Sequence, residues 1–342
     1  MSVACFASIW IWCERNRFAI LYPYEPADVA KIQLVKGYDR PGLAIFGDSS
    51  VMFDVIPDRL NSKVVNFGLF SGTPVESYFF IRRLIGGTEQ PRSVLLSFGR
   101  KQFGTELSIM DRFKTRVLSN GEGSEILNQA RSLNDPVFLR TGSVFDYLDK
   151  RLDIFLTFYG CPTYSVYALY RTIKDHHFKS QSGKDEGVLE ETLALKGHIP
   201  IEDLGLGPFH EEVDRGPKGL DWDATLDQFV LSPVIDAYFQ KTLSLLDEKN
   251  IPAFFICMPE NEYSVPHIRP DVSKDYDAYL AKMVREHKNF HLLYPLRRTY
   301  SWRSFEDCGH LNKLGAERFT KELARILNKA KVPGGPYGSA TP

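Results

Sequence analysis

The chain has 342 residues, of which 43% are hydrophobic and 25% charged, enough to build a sizeable core in an ordinary globular protein. Its 42 lysines and arginines are balanced by 43 aspartates and glutamates, so a net charge of −1 gives no broad field for nucleic acid or an anionic membrane. Five scattered cysteines (Cys5, Cys13, Cys161, Cys257, Cys308) contain no C-x-x-C pair, which excludes zinc-finger spacing, and their odd number argues against a complete disulfide framework.

In chain order, "ACFASIWIWC" (4–13) is apolar but well short of the ~20 residues of a spanning helix. Residues 1–39 are therefore read as an N-terminal segment: either a buried first element or the end of a membrane anchor. Short apolar runs then predict strands over 42–47, 63–68, 93–99, 251–259 and 289–295. Helical spacing, with Pro74 and Ser232-Pro233 as start signals, predicts helices over 74–86, 232–250, 273–287 and 312–330. Strand alternating with helix predicts an α/β domain over 40–331: a three-layer α/β/α, flavodoxin-like parallel sheet of about five strands. A stretch from about 100 to 227 interrupts that alternation and is read as a large helical insertion, a lid or acceptor-binding elaboration. Within it, "SVFDYLDKRLDIFLTFYG" and "SVYALYRTIKDHHF" are amphipathic, and "KSQSGKDEGVLEE" (179–191) reads as a mobile loop. Residues 332–342, "VPGGPYGSATP", read as a disordered tail.

In open parallel sheets, function collects in the loops at the carboxyl ends of the strands. Those loops carry Gly47-Asp48-Ser49, then "NFGLFSGT" from Asn66, then Gly99-Arg100-Lys101, then Pro259-Glu260-Asn261, and finally "FEDCGHLN" with Asp307 and His310. A serine hydroxyl becomes a nucleophile when a base takes its proton. His310 is the candidate base, and Asp307 the group that fixes its tautomer. The Ser49 backbone amide, with a glycine after the second strand, is the candidate oxyanion hole. Asp48 reads as a structural turn residue. For Glu260 and Asn261 loop capping is set beside substrate contact. Cys308 reads as a small packed residue, and His176-His177, diverging on a helix, do not read as a metal site.

Gly47-Asp48-Ser49, "NFGLFSG" and Asp307-x-x-His310 ahead of the last helix resemble the SGNH, or GDSL, hydrolase superfamily. The resemblance covers roughly 40–100 and 230–330. It implies acyl transfer by Ser49, His310 and Asp307 without metal or other cofactor, with oxyanion donors at Ser49 and at Gly72 or Gly68. The family's third block supplies an asparagine where this chain has Ser97-Phe98-Gly99-Arg100, and loss of one such donor costs ~3–4 kcal/mol. Either the hole rests on backbone amides alone or Arg100 replaces the donor; Arg100 reads equally as a substrate contact or an ordinary surface ion pair, and Asn261 is a further candidate substrate contact. The branch most resembled modifies cell-surface polysaccharides and includes alginate-type O-acetyltransferases and the teichoic-acid alanylation protein. That implies an extracytoplasmic, N-terminally tethered protein, a polysaccharide or O-acylated carbohydrate substrate, and a membrane-bound acyltransferase partner. The alternatives are a catalytically silent binding or assembly protein on the same fold, and a lipid or carbohydrate esterase.

Overall fold

A computed structural model describes residues 25–37, 41–61, 63–87, 90–105, 117–139, 182–201 and 220–336. The elements in order are α1 (Glu25–Gly37), β1 (Leu43–Gly47), α2 (Ser49–Asp54), β2 (Val64–Asn66), α3 (Pro74–Ile85), β3 (Ser93–Ser97), α4 (Asn120–Leu133) and α5 (Ser182–Ala194). There follow α6 (Pro233–Glu248), β4 (Ala253–Phe255), β5 (Glu260–Asn261), α7 (Pro270–Glu286), β6 (Phe290–Leu292), β7 (Thr299–Tyr300) and α8 (Lys313–Lys329).

Five strands form one parallel sheet in the order β2-β1-β3-β4-β6. Successive side chains on a strand point to opposite faces, and both faces are apolar. Ala44, Phe46, Val94, Leu96, Ala253 and Phe255 join the core beneath α3, α4, α6 and α7. Leu43, Ile45, Leu95 and Phe254 join the opposite core beneath α2 and α8. Helices therefore cover both faces of the sheet, which is why its strands read as continuous apolar runs.

The helix starts are built as their sequences predict. Thr73 caps α3 reciprocally with Glu76, and Pro74 occupies the first turn. Ser232 Oγ accepts the Ile235 N–H ahead of Pro233 in α6. Short β5 and β7 pair in a separate two-stranded sheet that the sequence pattern does not announce.

Segments read as a loop, a tail and an insertion are more closely packed than the sequence reading has them. The expected mobile loop over 179–191 contains the start of α5, which packs against α1. The reason is tertiary: the turn after α5 docks on the edge strand, where Asn66 N–H donates to Lys196 O at 2.9 Å. Gly197 there has φ +91°, and a Cβ on it would fall 1.9 Å from Asn66 O, so only glycine fits. Fully buried Lys31 of α1 donates to Asn66 O at 2.7 Å and also to Gly197 O, tying α1 into the domain. The expected tail also packs in part: Val332 is buried in the α8 core, and Ser93 Oγ donates to Pro333 O at 2.5 Å. Within the interruption, Ile126 and Ala130 of α4 belong to the main core. The segments 4–13, 143–160 and 165–178 lie outside the described residues. No helix among the described residues is long and apolar enough to cross a membrane.

Candidate active site

β1 ends at Gly47 against the third strand, so closely that a Cβ on Gly47 would lie 2.3 Å from Ser97 O. The chain then turns at once into α2. Asp48 is its N-cap, accepting the Ser50 N–H at 3.0 Å, and Ser49 is the first helical residue. Burial pushes the Asp48 carboxyl up to about 6, against the pull of His310 and the Ser50 N–H.

From the other end of the chain, the 305–311 loop closes on itself. Phe305 and Leu311 form an antiparallel bridge, and Glu306 N–H donates to His310 O at 2.8 Å. Asn312 locks the loop to α8: Oδ1 accepts the Gly315 N–H at 3.0 Å, and Nδ2 donates to Arg303 O at 2.8 Å. Asp54, buried at the end of α2, accepts the Leu311 N–H at 3.0 Å.

This framing brings Ser49 Oγ within 2.8 Å of His310 Nε2, while His310 Nδ1 lies 2.7 Å from Asp307 Oδ2. Asp307 Oδ1 accepts the backbone N–H groups of Gly309 at 2.8 Å and His310 at 2.7 Å. Burial alone would lower the His310 pKa, but the hydrogen bond and charge of Asp307, with Asp54 and Asp48 behind, raise it to about 9. For Asp307 burial acts upward, and the His310 contact and the two N–H donors outweigh it, holding the carboxyl below its ordinary range. Phe53 meets the His310 ring edge-on at 5.0 Å.

The cleft over this group has a volume of about 320 Å³ and is walled by the loops after β1, β2, β3 and β4 and by residues 221–223. The Ser49 N–H heads α2 and has no partner among the described residues, as an oxyanion donor requires. Both expected glycine donors lie against this turn, but their N–H groups are engaged. Gly72 N–H donates to Leu69 O at 2.9 Å, and Gly68 N–H to Asn66 Oδ1 at 2.9 Å. Their role is close packing: a Cβ on Gly72 would lie 2.6 Å from Gly47 O, and one on Gly68 2.6 Å from Met52 N.

Arg100 lines the cleft, but its guanidinium is engaged: Nη1 donates to Asp223 Oδ2 at 3.0 Å and Glu260 Oε1 at 2.8 Å. Asn261 is fully buried away from the cleft walls and accepts the Tyr263 N–H at 2.9 Å, a turn residue rather than a substrate contact. Neither Cys257 nor Cys308 is disulfide-bonded. No group of three or more histidine, cysteine, aspartate or glutamate side chains among the described residues is arranged to hold a metal ion.

Sequence reasoning missed Asp54 and the "DWD" stretch of Asp221, Trp222 and Asp223. The signal available was the cap-like Asp-x-Asp ahead of a short turn, where Asp221 Oδ1 accepts the Asp223 N–H at 3.4 Å. Half-exposed Trp222 stands at the cleft wall with Lys101 Nζ 3.4 Å from its ring centroid.

The fold and site together define an α/β domain with a serine–histidine–aspartate chain at the carboxyl edge of a parallel sheet. A model of a family of uncharacterised function matches residues 228–331, a stretch that contains Asp307 and His310 but not Ser49. No curated protein matches the chain.

Proposed function

We propose that the protein is a serine-dependent acyl transferase or esterase of the SGNH type, acting on O-acyl groups of a carbohydrate. The observation that carries this is the unbroken Ser49–His310–Asp307 hydrogen-bonded chain in an open cleft. The strand order β2-β1-β3-β4-β6, a flavodoxin-like order, agrees with it.

In this reading His310 Nε2 takes the Ser49 hydroxyl proton as Oγ attacks the acyl carbonyl carbon. The carbonyl oxygen becomes an oxyanion facing the Ser49 N–H. Collapse expels the alcohol, which receives the proton from His310, and leaves an acyl-serine. Water or a second sugar hydroxyl, deprotonated by His310, then attacks and takes the acyl group. Asp307 holds the imidazole and stabilises its charged form throughout. A polysaccharide substrate, a membrane-bound acyl-donor partner and a place outside the cytoplasm are parts of the proposal that rest on the family resemblance alone.

One observation favours the second reading, a silent binding protein: both candidate glycine amides are already engaged. The experiment that separates the two is hydrolysis of p-nitrophenyl acetate and labelling by a fluorophosphonate, for wild type and Ser49→Ala. The enzyme reading expects labelling only of wild type and a rate loss of at least ~10³-fold in the variant. Equal background rates and no labelling of either protein would overturn it.

A further inference from the structure

The cleft is acidic, and its carboxylates divide by what they already hold. Asp48 caps α2, and Asp307 holds His310 and two backbone amides. Asp223 and Glu260 share the Arg100 guanidinium. Asp223 also accepts the backbone N–H groups of Arg100 and Lys101, each at 3.0 Å. Asp221 is different. It lines the same cleft and makes no ion pair among the described residues; its carboxyl accepts only the long Asp223 N–H contact of 3.4 Å. A Cβ placed on Gly309 would sit 3.6 Å from Asp221 Oδ1, so this carboxyl lies beside the loop between Asp307 and His310.

Burial and the neighbouring Asp223 charge push the Asp221 carboxyl up to about 7, with the Asp223 N–H and His310 acting the other way. Lys101, on the same cleft wall, is held over the Trp222 ring. Ionised Asp221 therefore sits in a wall whose negative charges outnumber its positive ones: five carboxylates against Arg100, Lys101 and His310.

We propose that Asp221 is a specificity-determining residue that selects an ammonium-bearing alcohol, as acyl acceptor or as leaving group. The site then disfavours the carboxylate- and phosphate-bearing sugars of polyanionic polysaccharides, since an anion would meet the unpaired Asp221. This rests on the acyl-transfer reading above but adds the charge of the substrate.

The test uses a pair of esters of nearly equal shape, acetylcholine and 3,3-dimethylbutyl acetate, which differ in one positive charge. The expected result is a kcat/KM preference of about tenfold for the cationic ester, at a pH about one unit above that at which Asp221 titrates. Asp221→Asn, which keeps the turn cap, removes the preference, and Asp221→Glu restores it. The same ordering is expected in calorimetric binding of choline against 3,3-dimethylbutan-1-ol to Ser49→Ala, where no chemistry is needed. Loss of ester hydrolysis altogether with choline selection intact would sink the acyl-transfer reading and leave the charge selection standing. Equal handling of the two charge types, or a preference that survives Asp221→Asn, overturns the inference.

Discussion

The Asp54 carboxylate accepts the Leu311 backbone N–H at 3.0 Å and so fastens the loop that carries His310 to the helix that opens with Ser49. Burial pushes the Asp54 pKa well up, and the positive His310 and the Leu311 N–H work against that rise. Both groups thus depend on a carboxylate that touches no reacting atom.

Asp54→Ala leaves the Leu311 N–H buried without an acceptor, a loss of about 1–3 kcal/mol. Urea titration is expected to show a lowered midpoint. Asp54→Asn keeps an acceptor oxygen and should cost less stability, while lowering the pH at which His310 titrates because one negative neighbour is gone. If the alanine variant unfolds at the wild-type midpoint, Asp54 does not fasten the loop.

His310 must be neutral to act as a base, and its pKa is raised to about 9. In the acyl-transfer reading, kcat/KM on a neutral ester is therefore expected to climb with pH, with its midpoint at about pH 9 and its plateau above that. Asp307→Asn removes the largest upward influence, so the midpoint moves down, and the rate falls by ~10²–10⁴-fold through loss of orientation. A profile already flat by neutral pH in the wild type would contradict the His310 assignment.

The same pair sets a pH window for stability. The raised His310 pKa contributes stability that is fully present below its ordinary 6.5 and is lost as pH rises through about 9. Depressed Asp307 contributes above its ordinary 3.8 and loses that as pH falls. Together they support the fold most between about 4 and 6.5, and a His310→Ala, Asp307→Ala double variant should lose the corresponding curvature in thermal midpoint against pH.

Arg100 is buried between Asp223 and Glu260, whose side chains are also mostly covered. Arg100→Met strands both carboxylates, and an expected loss of about 3–5 kcal/mol follows from an uncompensated buried charge. Arg100→Lys keeps the charge but not the forked geometry and should fall between. Chemical denaturation of the three proteins checks this order; a methionine variant as stable as wild type would mean the network holds nothing together.

Most of the framework is legible in the sequence because the signals are local. Leu43 to Gly47 and Ser93 to Ser97 read as continuous apolar runs because both faces of the sheet are covered. Ser232-Pro233 and Asn312 announce helix starts by chemistry that the structure uses directly. The residues of the serine–histidine–aspartate chain are legible by pattern, but their 2.8 and 2.7 Å contacts are not, since Ser49 and His310 are 261 positions apart. What escaped reading depends on partners remote in sequence. α5 looks like a charged, glycine-containing loop until α1 and the buried Lys31 are beside it. One miss is local instead: Gly68 and Gly72 look like oxyanion donors until the turn is seen to fold their N–H groups back onto nearby Asn66 and Leu69. Asp221 is invisible as a cleft residue because nothing in "LDWDATL" announces which sheet edge it will reach.

The closed 305–311 loop has a consequence for the order in which the site comes into being. His310 and Asp307 lie on one closed loop, held by the Phe305–Leu311 bridge and the Asn312 hydrogen bonds, and follow every strand of the main sheet in the chain. A growing chain that has emerged only as far as β7 carries Ser49 but not His310. If the acyl-transfer reading holds, residues 305–329 complete the site, and a chain truncated before them is expected to keep the serine turn and lack the activity.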